Sequence, residues 1–191
     1  MNSQPVLLAI LCMLSGSIAA ADQTSWSLSL ETGGVWQSRN DVRIPNDTGT
    51  RFSIDDITES GPFAYYRLES SFNLGDDRQL RLLLAPLRIT ESGVADQAIE
   101  FDGETFSAGQ QTDFTYQFNS YRVSYRWLYK QTADWSLWLG GTLKVRDAEI
   151  ALQQDSVKAS DDNVGLVPLF HLYSDYRLNP QWRFALDFDG L

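Results

Sequence analysis

Cysteine occurs once in the 191 residues, at Cys12, and histidine once, at His171. So few thiols exclude a disulfide framework and a thiolate zinc site, and a single imidazole excludes a multi-histidine metal centre. Positive charge is also scarce: 15 Lys and Arg stand against 25 Asp and Glu, a net −10. No basic excess remains to neutralise phosphates, so nucleic-acid binding is excluded. Beyond Asp22 no stretch keeps a helical period. What is abundant is apolar content, 43% with 13% aromatic, too much for a disordered chain and at a length that suits one domain.

The longest apolar run, Val6 to Ile18, falls short of the ~20 residues a membrane-spanning helix needs. It is followed by Ala19-Ala20-Ala21, which reads as an h-region and an A-x-A cleavage signal. Residues 1–21 are therefore expected to be a signal peptide, and 22–191 one exported domain. Cys12 falls inside the leader, so the mature chain has no cysteine, which suits an oxidising compartment.

Period-2 alternation dominates the rest, the mark of half-buried strands. Seven strands are countable. Trp26, Leu28 and Leu30 alternate with polar residues in the first, and Tyr66, Leu68, Phe72 and Leu74 in the second. Leu80, Leu82 and Leu84 oppose Arg81 in the third. The fourth sets Tyr121, Val123, Tyr125, Trp127 and Tyr129 against Arg122, Ser124 and Arg126. The fifth sets Trp135, Leu137, Leu139, Leu143 and Val145 against Ser136, Thr142, Lys144 and Arg146. The sixth sets Leu166, Phe170, Leu172 and Tyr176 against His171, Asp175 and Arg177, and the seventh Trp182, Phe184, Leu186 and Phe188 against Arg183, Asp187 and Asp189.

Short connections (Gly75 to Arg78, Gln131 to Asp134, Asn179 to Gln181) carry turn chemistry. They alternate with three long ones, about Arg39–Gly61, Thr90–Asp113 and Gln153–Asn163. The long stretches hold 14 of the 25 acidic and 4 of the 15 basic side chains, leaving 11 of each elsewhere. The negative charge thus belongs to one end of a meander whose body is neutral.

A closed meander can be apolar inside, as a soluble lipocalin-like barrel, or apolar outside, in a membrane. Trp26, Phe72, Tyr129, Trp135, Tyr176 and Trp182 all fall near the turn ends of their strands, where an interfacial aromatic girdle would lie. Arginines, Lys144 and carboxylates share the other face and suit a narrow, paired lumen. With the signal segment, these features resemble the small eight-stranded outer-membrane β-barrel proteins of Gram-negative bacteria, the OmpA, OmpX and OmpW kind. The resemblance is architectural and implies an all-β, antiparallel up-and-down transmembrane barrel in the cell outer membrane. Its turns would be periplasmic and its acidic loops extracellular. The partners implied are outer-membrane lipid, lipopolysaccharide, the barrel-assembly machinery and an unidentified extracellular molecule. Seven strands are odd where the group is even, so an outer loop and an eighth strand, ~20–40 residues, are expected beyond Leu191. The alternative is that strand four, Thr112 to Lys130, is two strands.

No catalytic, cofactor-binding or metal-binding residue is assigned. His171 and Ser174 point to opposite faces of a strand. His171 shares a face with Asp175, and Ser124 or Ser136 could complete an Asp-His-Ser set, but a polar lumen network accounts for His171 as well. Asp47, Asp55 and Asp56 lack EF-hand spacing. The first long stretch mixes Val42, Ile44, Phe52 and Ile54 with charges, so it is expected to fold back on the barrel. The Arg and Lys side chains are expected to pair with Glu31, Glu69, Asp175 and Asp187, filling the lumen. The functional expectation is a structural or surface-interaction barrel with a plugged lumen. A lipid-modifying outer-membrane enzyme, a small pore and a soluble periplasmic ligand-binding barrel are the alternatives.

Overall fold

The computed structural model describes residues 26–191, and the expected signal peptide lies outside the described residues. In chain order the elements are β1 (Trp26–Val35), β2 (Asp41–Val42), β3 (Phe52–Ser53), the single turn α1 (Ile54–Ile57), β4 (Phe63–Asn73), β5 (Arg78–Ala85) and β6 (Arg88–Val94). They continue with β7 (Ile99–Phe101), β8 (Glu104–Phe106), β9 (Gln111–Gln131), β10 (Trp135–Gln154), β11 (Val157–Asn179) and β12 (Trp182–Gly190). One antiparallel sheet runs β1-β4-β5-β9-β10-β11-β12, with β6 pairing the upper part of β9. β5 and β6 are one long strand interrupted at Pro86, where a ladder donor is missing. Each of the seven alternating segments thus lies on its own strand, and Thr112 to Lys130 lies within the single strand β9.

Side-chain length and strand pairing show that this sheet is curled. β5 and β12 are four steps apart in the sheet, roughly 19 Å if it were flat. Yet Arg81 Nη2 lies 3.2 Å from Asp187 Oδ2, and Arg122 Nη1 on β9 lies 2.7 Å from Asp189 Oδ2. Only a sheet rolled towards the face bearing these residues brings them together. The result is an open half-barrel whose first and last strands are not paired to each other.

The three short turns form as expected. Leu74 N–H donates to Arg78 O at 2.9 Å around Gly75, whose φ of +96° suits glycine. Thr132 N–H donates to Trp135 O at 2.7 Å. Asn179 Oδ1 accepts from both Gln181 and Trp182 N–H at 2.9 Å, an Asx-type turn.

The long connections require correction. Gln153–Asn163 is not a loop: β10 and β11 run through it in register, joined only at Asp155-Ser156, with Asp155 at φ +51°. Most of Thr90–Asp113 is likewise strand, with β6 and β9 paired and a β7–β8 hairpin between them. The connections therefore do not alternate strictly between short and long; the end opposite the short turns carries tall strands. The first stretch folds back as expected, and Val42, Phe52 and Ile54 join Ile99, Phe101, Phe106, Phe114 and Leu152 in a buried apolar core. This crown is fastened by Asp102 N–H to Ile44 O at 3.1 Å and Thr50 N–H to Glu100 O at 2.9 Å. At its exposed edge the Arg39 guanidinium, 2.9 Å from Asp41, holds that carboxyl below its ordinary pKa. Phe101 is fully buried, so Phe101→Ala is expected to cost the crown about 3–5 kcal/mol. Hydrogen exchange should show β7 and β8 losing protection while the lower strands keep theirs.

Candidate functional site: an inverted belt and a charged lumen

The two faces of the strands exchange character partway along their length. On the inner face of β9, Phe114, Tyr116 and Phe118 give way to Ser120, Arg122, Ser124 and Arg126. On its outer face, Thr115, Gln117 and Asn119 give way to Tyr121, Val123, Tyr125, Trp127 and Tyr129. β10 switches on the outer face between Asp147 and Val145, and on the inner face between Ala148 and Arg146. On β11 the outer face changes from Lys158, Ser160 and Asp162 to Val164, Leu166, Phe170 and Leu172. Strand registry puts the changes on β9 and β10 at one level, since Tyr121 pairs with Val145 and with Leu84; on β11, Leu166 pairs with Val145 and the outer face changes one ladder pair higher, at Val164. No strand slips phase to achieve this; the composition of each face changes instead.

Below this level the outer face is apolar and exposed on every strand. Leu28, Leu30, Val123, Trp127, Leu166, Phe170, Phe184 and Leu186 are all solvent-accessible. The aromatic residues collect near the turns, with Trp26 paired to Phe72, Trp135 to Tyr176, and Trp182 stacked on Phe184. From Trp135 to Val145 is about ten residue steps, which at ~3.4 Å and a ~40° tilt spans roughly 25 Å.

Inside, the belt encloses charge. Arg81, only 2% exposed, lies with Nε 2.7 Å from Glu69 Oε1 and donates from Nη2 to Glu69 Oε2 at 2.8 Å, while also meeting Asp187. Asp189, 2% exposed, accepts from Arg122 Nη1 at 2.7 Å and from the Thr142 hydroxyl at 2.6 Å, and faces His171 Nδ1 at 2.8 Å. Arg126 donates twice to Gln79 Oε1 and lies 4.0 Å over the Tyr173 ring. Gly140 sits directly between Arg126 and His171 in the ladder. A Cβ there would meet Tyr125 O at 2.1 Å, so only glycine lets β9 and β10 approach this closely.

His171 takes no part in an Asp-His-Ser constellation. Its Nδ1–H points at Asp189, which leaves the Nε2 lone pair facing Arg126 Nη1 at 3.4 Å. Ser124 is bonded to Thr142 at 2.6 Å, Ser136 lies 3.3 Å from Trp138 Nε1, and Ser174 accepts from Trp135 Nε1 at 2.8 Å. Asp175 pairs with Arg183 at 2.6 Å rather than with His171. Three of the expected lumen carboxylates, Glu69, Asp175 and Asp187, do pair with arginines, whereas Glu31 accepts from Tyr65 OH at 2.7 Å. Asp189 is the hub that sequence reasoning placed on the face without giving it a partner. His171, Asp187 and Asp189 offer three ligand atoms within 4.8 Å of one another. Arg81 and Arg122 already neutralise those carboxylates, so the donor set serves as the anionic half of a network. Among the described residues, no helix is long and apolar enough to cross a membrane, a criterion that does not apply to strands.

Comparison with protein-family models, with characterised proteins and with solved structures gives no match.

Proposed function

We propose that the chain is an outer-membrane β-barrel whose belt, from the short turns to the Tyr121–Val145–Leu166 row, lies in lipid. Its crown stands outside the cell, and its role is structural or surface-interacting. The observation that carries this reading is the exchange of both faces at one level on β9 and β10, with the outer face of β11 changing within two residues of it. In water, the strands would bury their apolar side throughout, as they do in the crown. A belt with exposed tryptophan and leucine outside and paired arginine inside suits a hydrocarbon solvent. Its estimated height matches the ~25 Å apolar band of such barrels.

Lipid also demands closure, because an open sheet edge in hydrocarbon leaves backbone groups unsatisfied. Six antiparallel pairings separate β1 from β12, so these two strands run in the same direction and cannot pair antiparallel. The Arg81–Asp187 contact joins the third strand of this path to the seventh across the inner face. A lumen filled by these ion pairs supports a plugged barrel rather than a conducting one.

The test is fractionation of the full-length reading frame, with gel mobility compared before and after boiling. Recovery in the outer-membrane fraction with heat-modifiable mobility is expected. Recovery in the periplasmic supernatant without detergent would overturn the reading.

A further inference from the structure

Not every lumen cation has a carboxylate. On the inner face at the level of the exchange row, Lys144 pairs directly with Arg122 across the β9–β10 ladder, and Arg146 follows two residues along on the same face. Like charges placed directly opposite in a sheet destabilise it. Lys144 feels both arginines and one carboxylate, Asp189, and that carboxylate is already held by Arg122, Thr142 and His171. The Lys144 ammonium otherwise lies 5.2 Å over the Phe118 ring. Arg146 donates from Nη2 to Asn163 Oδ1 at 2.5 Å, but its buried Nε has no hydrogen-bond partner among the described residues. Opposite Arg146 the ladder places Gly165, and the guanidinium packs over it, 3.6 Å from where a Cβ would stand. Three cations against one shared anion leave a local excess of two positive charges, with a donor unused and a small residue beside it.

We infer that Arg122, Lys144 and Arg146 form an anion site on the inner face at the exchange row that takes the phosphate group of a small solute. A phosphate brings close to two negative charges and several acceptor oxygens. It matches both the charge excess and a guanidinium with a free N–H. The inference rests on the side-chain cluster and not on insertion in a membrane, so the two fail separately: fractionation tests the one and anion titration the other.

The test titrates inorganic phosphate into the full chain, folded in detergent micelles, by calorimetry at constant ionic strength. Thermal unfolding is followed in parallel by near-ultraviolet circular dichroism. Saturable binding is expected, weakened tenfold or more by Lys144→Gln and by Arg146→Gln and unchanged by Arg39→Gln in the crown. Phosphate should raise the unfolding midpoint of the parent chain and not that of Lys144→Gln. Without phosphate, Lys144→Gln should unfold at the same or a higher temperature, because it relieves a like-charge pair. Absence of saturation below about 10 mM, weaker than a millimolar-class site, would overturn the inference. So would undiminished binding by Lys144→Gln, or a lower midpoint for that variant without phosphate, which would make Lys144 a structural partner.

Discussion

Asp189→Ala is expected to cost about 3–5 kcal/mol of stability. Removing one partner of a buried pair strands the other charge, and here one deletion strands several groups. Arg122 loses its carboxylate, the Thr142 hydroxyl loses its acceptor, and His171 loses the group that orients its ring. Asp175→Ala makes the contrast. Its partner Arg183 is 65% exposed, so that pair is worth about 0–1 kcal/mol. Urea unfolding of both variants in the same detergent, followed by tryptophan fluorescence, checks the difference. Equal losses would remove Asp189 from the centre of the network. Asp189→Asn, which keeps acceptor and shape but not charge, should fall between them.

Phe170→Arg probes the outer surface. Phe170 lies near the middle of the belt on β11 and is 49% exposed. In water such a replacement changes stability by no more than about 0.5 kcal/mol. On the lipid face of a barrel near the bilayer midplane, it costs about 2–4 kcal/mol. Ser160→Arg, ten residues away on the outer face of the same strand and above the exchange row, is the internal control and should be neutral in either solvent. Folding into phospholipid vesicles, scored by heat-modifiable mobility, should separate the two variants strongly. Similar behaviour of both in vesicles would count against a lipid-facing belt.

The two faces of the belt were legible because an apolar outer face and a largely polar inner face give most strands a clear period-2 alternation. Tyr121 to Tyr129 against Arg122, Ser124 and Arg126 is the clearest case. Above the exchange row that alternation fades. Around Asp155, β10 and β11 present Gln153, Lys158 and Ser160 outside, while inside Gln154 and the small Val157 and Ala159 leave Leu152 the one large apolar residue. A strand with small inner and polar outer residues reads as a loop. One signal there was overlooked: Asp102-Gly103, flanked by Ile99, Phe101 and Phe106, is hairpin chemistry inside an otherwise acidic run. The partners of Asp189 were not legible. They depend on how far the sheet rolls, and Arg122 and Asp189 are 67 residues apart in the chain. His171 shows the same limit, since its face could be read from parity but its choice of Asp189 over Asp175 follows from the β11–β12 register.

The unbroken run of β9, β10 and β11 through both regions has a mechanical consequence. Strands of 21, 20 and 23 residues run from the belt into the crown without a break. The crown is therefore mounted on a stiff mast rather than tethered to an anchor. A molecule gripping it would pull on the ladders that hold Asp189 and His171 in place, and the load would be borne in shear along the strands.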